Sequence, residues 1–224
     1  TALLTIENLP DLNETITVPE DIFEELTAQD ASVAGFNPYE QPTVRDLLYG
    51  VLLPSGADAC ETLARAVGGS EEGFVAMMNQ KAEELGLTNT HFENCTGLHN
   101  DNHYSTCRDI AVLMSECLKS DTFREIVTRE VYTTEATASH PEGITLYDTM
   151  LHRFTSYEMS TTLENGAVIE GGKTGFTDEA GQCLVSFAEY GGEEYILVTA
   201  EAMTDSGSAV DSIADASTVY GRLQ

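Results

Sequence analysis

The sequence predicts an α+β protein in two lobes, together one domain: a mainly helical lobe over residues 1–130 and an antiparallel sheet lobe over residues 131–224 with a closing C-terminal helix. Three observations carry the prediction. Apolar residues recur at spacings of three and four through the first two thirds of the chain. Beyond residue 128 they fall into short β-rich runs bounded by glycine. From Val210 to Leu223 they return to a single helical stripe.

Taken in order, Ala2, Leu3, Leu4, Ile6 and Leu9 read as a helix already under way, with no Ser, Asp or Pro signal to open it. This predicts that the chain begins inside a longer one, so the lack of a signal peptide says nothing about compartment. Over residues 42–53, Thr43 and Asp46 make a capping pattern, and Val44, Leu47, Leu48, Val51 and Leu52 share a face. Pro54, Ser55 and Gly56 stop that helix. A second runs over residues 58–67 to Gly68 and Gly69, and Ser70 caps a third with Phe74, Met77, Met78, Ala82 and Leu85 as its core stripe. After a polar loop, Thr106 and Asp109 cap a helix carrying Ile110, Leu113, Met114, Cys117 and Leu118, and a short helix follows near residues 122–127. Strands are expected around Val131 and over residues 168–176, 183–190 and 195–202, with Tyr190-Gly191-Gly192-Glu193 as a tight hairpin.

Composition excludes several functions. Ten Lys plus Arg against 38 Asp plus Glu give 224 residues a formal net charge of −28, a surface that repels phosphate backbones and anionic lipid. No run approaches the length of a membrane span. The five cysteines form no C-x-x-C pair and are odd in number, which points to buried free thiols rather than a zinc site or a disulfide framework. His99 and His103 have i, i+4 spacing, yet the residues between them read as loop and lack the acidic pair of a metalloprotease helix, so no metal is assigned.

Lysine is scarce, which makes its placement informative. Lys81 and Lys119 fall on helices, whereas Lys173 sits in Gly171-Gly172-Lys173-Thr174-Gly175-Phe176, a strand whose glycines admit close approach to the backbone. Upstream, Leu52-Leu53-Pro54-Ser55-Gly56 presents a serine on a loop. Together with Arg45-Asp46-Leu47-Leu48-Tyr49-Gly50, Met77-Met78-Asn79, the run 85–92, Gly97-Leu98, His103-Tyr104-Ser105-Thr106 and Thr177-Asp178-Glu179-Ala180-Gly181, these phrases resemble the D-alanyl-D-alanine carboxypeptidases of low molecular mass, within the penicillin-binding and serine β-lactamase superfamily.

The resemblance implies a β-lactamase/transpeptidase-like fold and a serine peptidase that removes the terminal D-alanine of a peptidoglycan stem peptide through an acyl-serine that β-lactams also form. It implies that Ser55 matches the serine of an S-x-N motif that relays protons. Lys173 and Thr174 match the residues that bind the substrate carboxylate, and Gly175 and Phe176 continue that strand, the Phe176 N–H helping to stabilise the oxyanion. It further implies that no cofactor is required and that the site of action is outside the cytoplasmic membrane, while the charge balance speaks against nucleic acid as a partner.

Two departures stand against the family pattern. Met78, Glu116 and Glu170 precede the three lysines by three positions, so no S-x-x-K nucleophile occurs in the 224 residues. The family places that motif directly before a run like Thr1-Ala2-Leu3-Leu4. Truncation there is the expectation, leaving the chain as it stands inactive and its sheet without the family's first strands. Ala57, moreover, occupies the Asn position of S-x-N, and Asp58 is expected to cap the next helix. A non-catalytic module that binds peptidoglycan or a partner protein is the alternative; a β-lactamase is weaker, since no deacylating Glu loop is recognisable.

Overall fold

The computed structural model describes residues 1–202 and 210–224. The chain divides into two compact units, one of Thr1–Tyr104 with Val131–Asp148 and one of Ser105–Glu130 with Thr149–Gln224.

The first unit contains α1 (Ala2–Asn8), α2 (Ile22–Ala28), α3 (Val44–Leu52), α4 (Ala57–Gly68), α5 (Glu71–Glu84) and a two-stranded ribbon of β1 (Val131–Thr133) and β2 (Thr145–Tyr147). Its centre is α3, buried on nearly every side rather than along one stripe. Gly50 permits this: a Cβ there would meet Phe36 at 2.9 Å and Ala59 at 3.0 Å, so α4 packs against bare backbone. The expected capping box is present, with Thr43 Oγ1 accepting from the Asp46 N–H at 3.1 Å and Asp46 Oδ2 accepting from the Thr43 N–H at 3.2 Å. Of the α5 stripe, Phe74, Met78 and Ala82 are buried, while Met77 and Leu85 are half-buried.

The division does not fall at residue 130. The β1–β2 ribbon joins the helical unit because Asp46 also accepts from Tyr132 Oη at 2.9 Å and from the Glu135 N–H at 3.2 Å, while Tyr132 stacks on Tyr49 with ring centroids 3.6 Å apart. Conversely α6 (Cys107–Cys117) and α7 (Asp121–Val127) belong with the sheet, α6 packing on the last two sheet strands and α7 on the first. Helical periodicity locates such helices but does not say which surface their apolar faces cover.

In the second unit β3 (Val168–Thr177), β4 (Gly181–Tyr190) and β5 (Glu193–Ala202) form an antiparallel sheet in the order β3-β4-β5. The β4–β5 hairpin turns on Gly191 and Gly192, both at positive φ (64° and 85°), as a two-residue turn of that hand requires. Two further helices, α8 (Leu151–Ser156) and α9 (Asp211–Tyr220), share a core with the sheet built on Met150, Phe154, Ile169, Leu184, Ile213 and Tyr220. The sequence pattern does not reveal α8, a six-residue helix without a side-chain cap. None of the five cysteines is joined in a disulfide; Cys60, Cys95 and Cys117 are buried as expected, whereas Cys107 is exposed and Cys183 half-buried. No helix among the described residues is long and apolar enough to cross a membrane.

Candidate active site

The K-T-G strand is held by glycines on both of its faces. A Cβ on Gly171 would lie 2.4 Å from the Val127 carbonyl oxygen, and one on Gly172 would lie 2.4 Å from the Val185 carbonyl oxygen and 2.8 Å from Met150 Sδ. The close approach that these glycines permit is therefore made by the protein's own α7, β4 and Met150. A β-bulge between Ile169 and Gly171 shifts the register just before Lys173, which then pairs with Val185, Thr174 with Leu184, Gly175 with Cys183 and Phe176 with Gln182.

Lys173, Thr174 and Gly175 line a cavity of about 380 Å³ within the second unit, together with Thr106 and Cys107 at the start of α6 and Cys183 on β4. Lys173 is half-buried and its Nζ donates to the Thr174 carbonyl oxygen at 2.9 Å. Thr174 is buried, and its Oγ1 lies 2.5 Å from Thr149 Oγ1. This hydroxyl pair orients Thr174, and Thr149 is a residue the sequence reading misses, since nothing in an isolated threonine before α8 signals a partner 25 positions away. A Cβ on Gly175 would meet nothing closer than Cys183 Cβ at 3.8 Å, an ordinary van der Waals contact. Phe176 is 59% exposed, so its ring stands in solvent at the end of the strand. Thr161 and Thr162 pair with Ile169 and Val168 along the first part of the β3 edge. Within the second unit no described strand pairs with that edge beside Lys173 to Phe176.

Ser55 belongs to the first unit, in the turn between α3 and α4. The Gly56 N–H donates to the Gly50 carbonyl oxygen at 2.8 Å, closing the turn, and Ser55 takes a φ of +64°, in the left-handed region that disfavours a side chain. Such strain is a feature of positions whose side chain must point one way. Ala57 is 4% exposed and opens α4, so no polar side chain extends from the Asn position of the motif.

Asp58 does not cap α4, whose N-cap is Gly56. It is fully buried and accepts backbone N–H bonds from Ala34 (2.7 Å), Gly35 (2.9 Å), Phe36 (3.0 Å) and Ala59 (3.0 Å), tying the 34–36 segment to the turn that carries Ser55. A Cβ on Gly56 would meet that segment, at 2.7 Å from the Ala34 nitrogen. Sequence alone cannot reveal this use of Asp58, because three of its four backbone donors lie more than twenty residues upstream.

His99 and His103 do not converge. His103 Nδ1 accepts from the Glu93 N–H at 3.3 Å and its ring meets Phe92 edge-on, while His99 contacts Asp101 in the loop. Burial holds the His103 imidazole below its ordinary pKa.

The chain is similar to known proteins in both sequence and fold. The profile of the D-alanyl-D-alanine carboxypeptidase family matches residues 1–204. The chain is 36% identical over 168 residues to the D-alanyl-D-alanine carboxypeptidase DacF of Bacillus subtilis, covering 75% of this chain and 40% of that protein. It is 35% identical over 192 residues to a D-alanyl-D-alanine carboxypeptidase of Streptomyces sp. strain K15, covering 83% of this chain and 64% of that protein. The crystal structure of the Streptomyces K15 DD-transpeptidase is similar with a TM-score of 0.79 at 30% identity, covering 98% of this chain and 85% of that chain. A D-alanyl-D-alanine carboxypeptidase from Mycobacterium tuberculosis H37Rv is similar with a TM-score of 0.77 at 27% identity, covering 98% and 77%. The chain thus spans 40% and 64% of the length of the two curated relatives. The expected α+β class and transpeptidase-like fold are those of these structures.

Proposed function

The chain belongs to the D-alanyl-D-alanine carboxypeptidase family, and from that premise we propose that it supplies the carboxylate-binding strand and the proton-relay serine of an enzyme that removes the terminal D-alanine from peptidoglycan stem peptides. The observation that carries the reading is the K-T-G strand. Lys173 and Thr174 border one cavity at the edge strand of the sheet, in a chain with a net charge of −28 where a positive site is scarce. In this reading Lys173 provides the field for the substrate carboxylate and Thr174, oriented by Thr149, provides a hydroxyl donor. Gly175 leaves room for the substrate backbone, and the Phe176 N–H helps to stabilise the oxyanion. Ser55 passes the proton between the lysine of S-x-x-K and the leaving amine. The acyl-forming serine itself is not among the 224 residues, so the chain by itself is inactive in this reading. The substrate places the site of action on the outer side of the cytoplasmic membrane, and β-lactams acylate the same serine.

The test expresses the complete reading frame that encodes these residues and measures acylation by fluorescent penicillin and release of D-alanine from an N-acylated Lys-D-Ala-D-Ala peptide. Both are expected, with Lys173→Ala and Ser55→Ala each slowing acylation by roughly 10²-fold or more. A folded protein that does neither refutes the reading.

Ala57 favours a second reading, a non-catalytic module that binds D-Ala-D-Ala peptides or a partner protein, because the amide that would hold the substrate is replaced by a buried methyl group. Saturable peptide binding without D-alanine release by the same protein decides for it, and sustained nitrocefin turnover decides instead for a β-lactamase.

A further inference from the structure

Away from the K-T-G strand, the first unit gathers three ligand-bearing side chains that no spacing in the sequence announces. We propose that Glu61, Glu71 and Cys95 form a binding site for a thiolate-accepting divalent cation of the zinc type. Their ligand atoms all lie within 4.8 Å of one another. Glu61 stands on α4, Glu71 opens α5, and Cys95 lies in the loop beyond α5. Cys95 Sγ is 3.4 Å from Glu61 Oε1, and the Cys95 N–H donates to Glu71 Oε1 at 3.2 Å. Around tetrahedral zinc, with a sulfur at about 2.3 Å and an oxygen at about 2.1 Å, those two ligand atoms stand about 3.6 Å apart. The thiol and the Glu61 carboxylate already have the span of one edge of that tetrahedron.

The surroundings call for positive charge. Cys95 is 5% exposed and the Glu61 side chain 9% exposed. Glu61 and Glu71 border a cavity of about 210 Å³ whose wall also carries Glu93 and His99, and a water from that cavity would complete the fourth position. Arg65 is the one cation on that wall among the described residues. It is committed to Asp21 through contacts of 2.8 and 2.7 Å and stands 3.6 Å from Glu61.

A bound cation supplies that charge. As the sulfur–metal bond forms, the proton on Cys95 Sγ leaves to solvent, and the ion's two positive charges sit between two carboxylates. The thiol sets the class of ion: calcium and magnesium take oxygen ligands, whereas a thiolate with two carboxylates suits zinc. Residues 61, 71 and 95 follow none of the ligand spacings that mark zinc sites in a sequence, which is why the sequence reading assigns no metal.

Cobalt(II), a spectroscopic substitute for zinc, tests the site when titrated into the reduced 224-residue chain. A thiolate-to-cobalt charge-transfer band is expected, abolished by added zinc. Cys95→Ser should remove the band, Glu71→Gln should weaken cobalt affinity on the order of 10- to 100-fold with an unchanged far-ultraviolet circular dichroism spectrum, and Cys107→Ser, which deletes the exposed thiol, should leave the band intact. If Cys95→Ser does not fold, Glu71→Gln, at a half-buried position, decides alone. Absence of the band, its persistence in folded Cys95→Ser, its loss in Cys107→Ser, or unchanged affinity in Glu71→Gln overturns the proposal.

Discussion

Ser55, the proposed proton relay, carries a backbone cost. Its φ of +64° disfavours a side chain by about 1 kcal/mol relative to glycine. Ser55→Gly and Ser55→Ala both delete the hydroxyl, but only glycine relieves the strain. The glycine variant should therefore melt about 2–4 °C above the alanine variant; equal melting temperatures would show that the turn is not strained. Glu40 gives a residue-scale prediction in pH. Burial works to raise its pKa, yet hydrogen bonds from Thr137 Oγ1, the Asn37 N–H and His140 Nδ1 together hold it below the ordinary carboxylate value. A carboxyl held down in the folded state contributes stability that is present above its unfolded pKa and lost as pH falls through the folded one. Urea midpoints of the wild type should accordingly fall on acidification below about pH 4.5 more steeply than those of Glu40→Gln, and parallel curves would remove Glu40 from the account. His140 is thus a partner of the buried Glu40 carboxylate.

At the scale of the element, β3 shows how small residues place the K-T-G strand. Gly171 and Gly172 have ordinary negative φ values; what they need is the absence of a Cβ, because α7, β4 and Met150 occupy the space. Gly172→Ala should force β3 from β4 or displace Met150, costing about 2 kcal/mol or more as overpacking does, and should also displace Lys173. Denaturant unfolding reads the first effect and, in the complete reading frame, penicillin acylation reads the second. A variant with unchanged stability and acylation would show that the strand is positioned by other contacts. The caps of α3, α5 and α6 and the Gly191-Gly192 turn were legible because each is a local pattern with a local cause. The short α8 and the true use of Asp58 were not, because a helix of six residues is held by its packing and a buried carboxylate by donors distant in sequence.

For the whole molecule the dominant quantity is charge. A net −28 repels itself within the compact state, and that repulsion is screened as the Debye length shrinks from about 30 Å at 0.01 M salt to about 8 Å at 0.15 M. The melting temperature should rise across that interval, with sodium chloride and choline chloride equally effective if screening is the cause. A melting temperature that falls with salt would mean that pairs such as Arg65 with Asp21 and Arg124 with Glu194 outweigh the repulsion. The sequence by itself determined the α+β class, the family and the K-T-G strand, because hydrophobic period, capping residues and contiguous motifs are properties of neighbours along the chain. Only the tertiary structure decided that the β1–β2 ribbon packs with the helices and α6 and α7 with the sheet, that Thr149 orients Thr174, and that Glu61, Glu71 and Cys95 meet. Those facts depend on which surfaces bury one another, and burial is a property of the folded chain that no local spacing encodes.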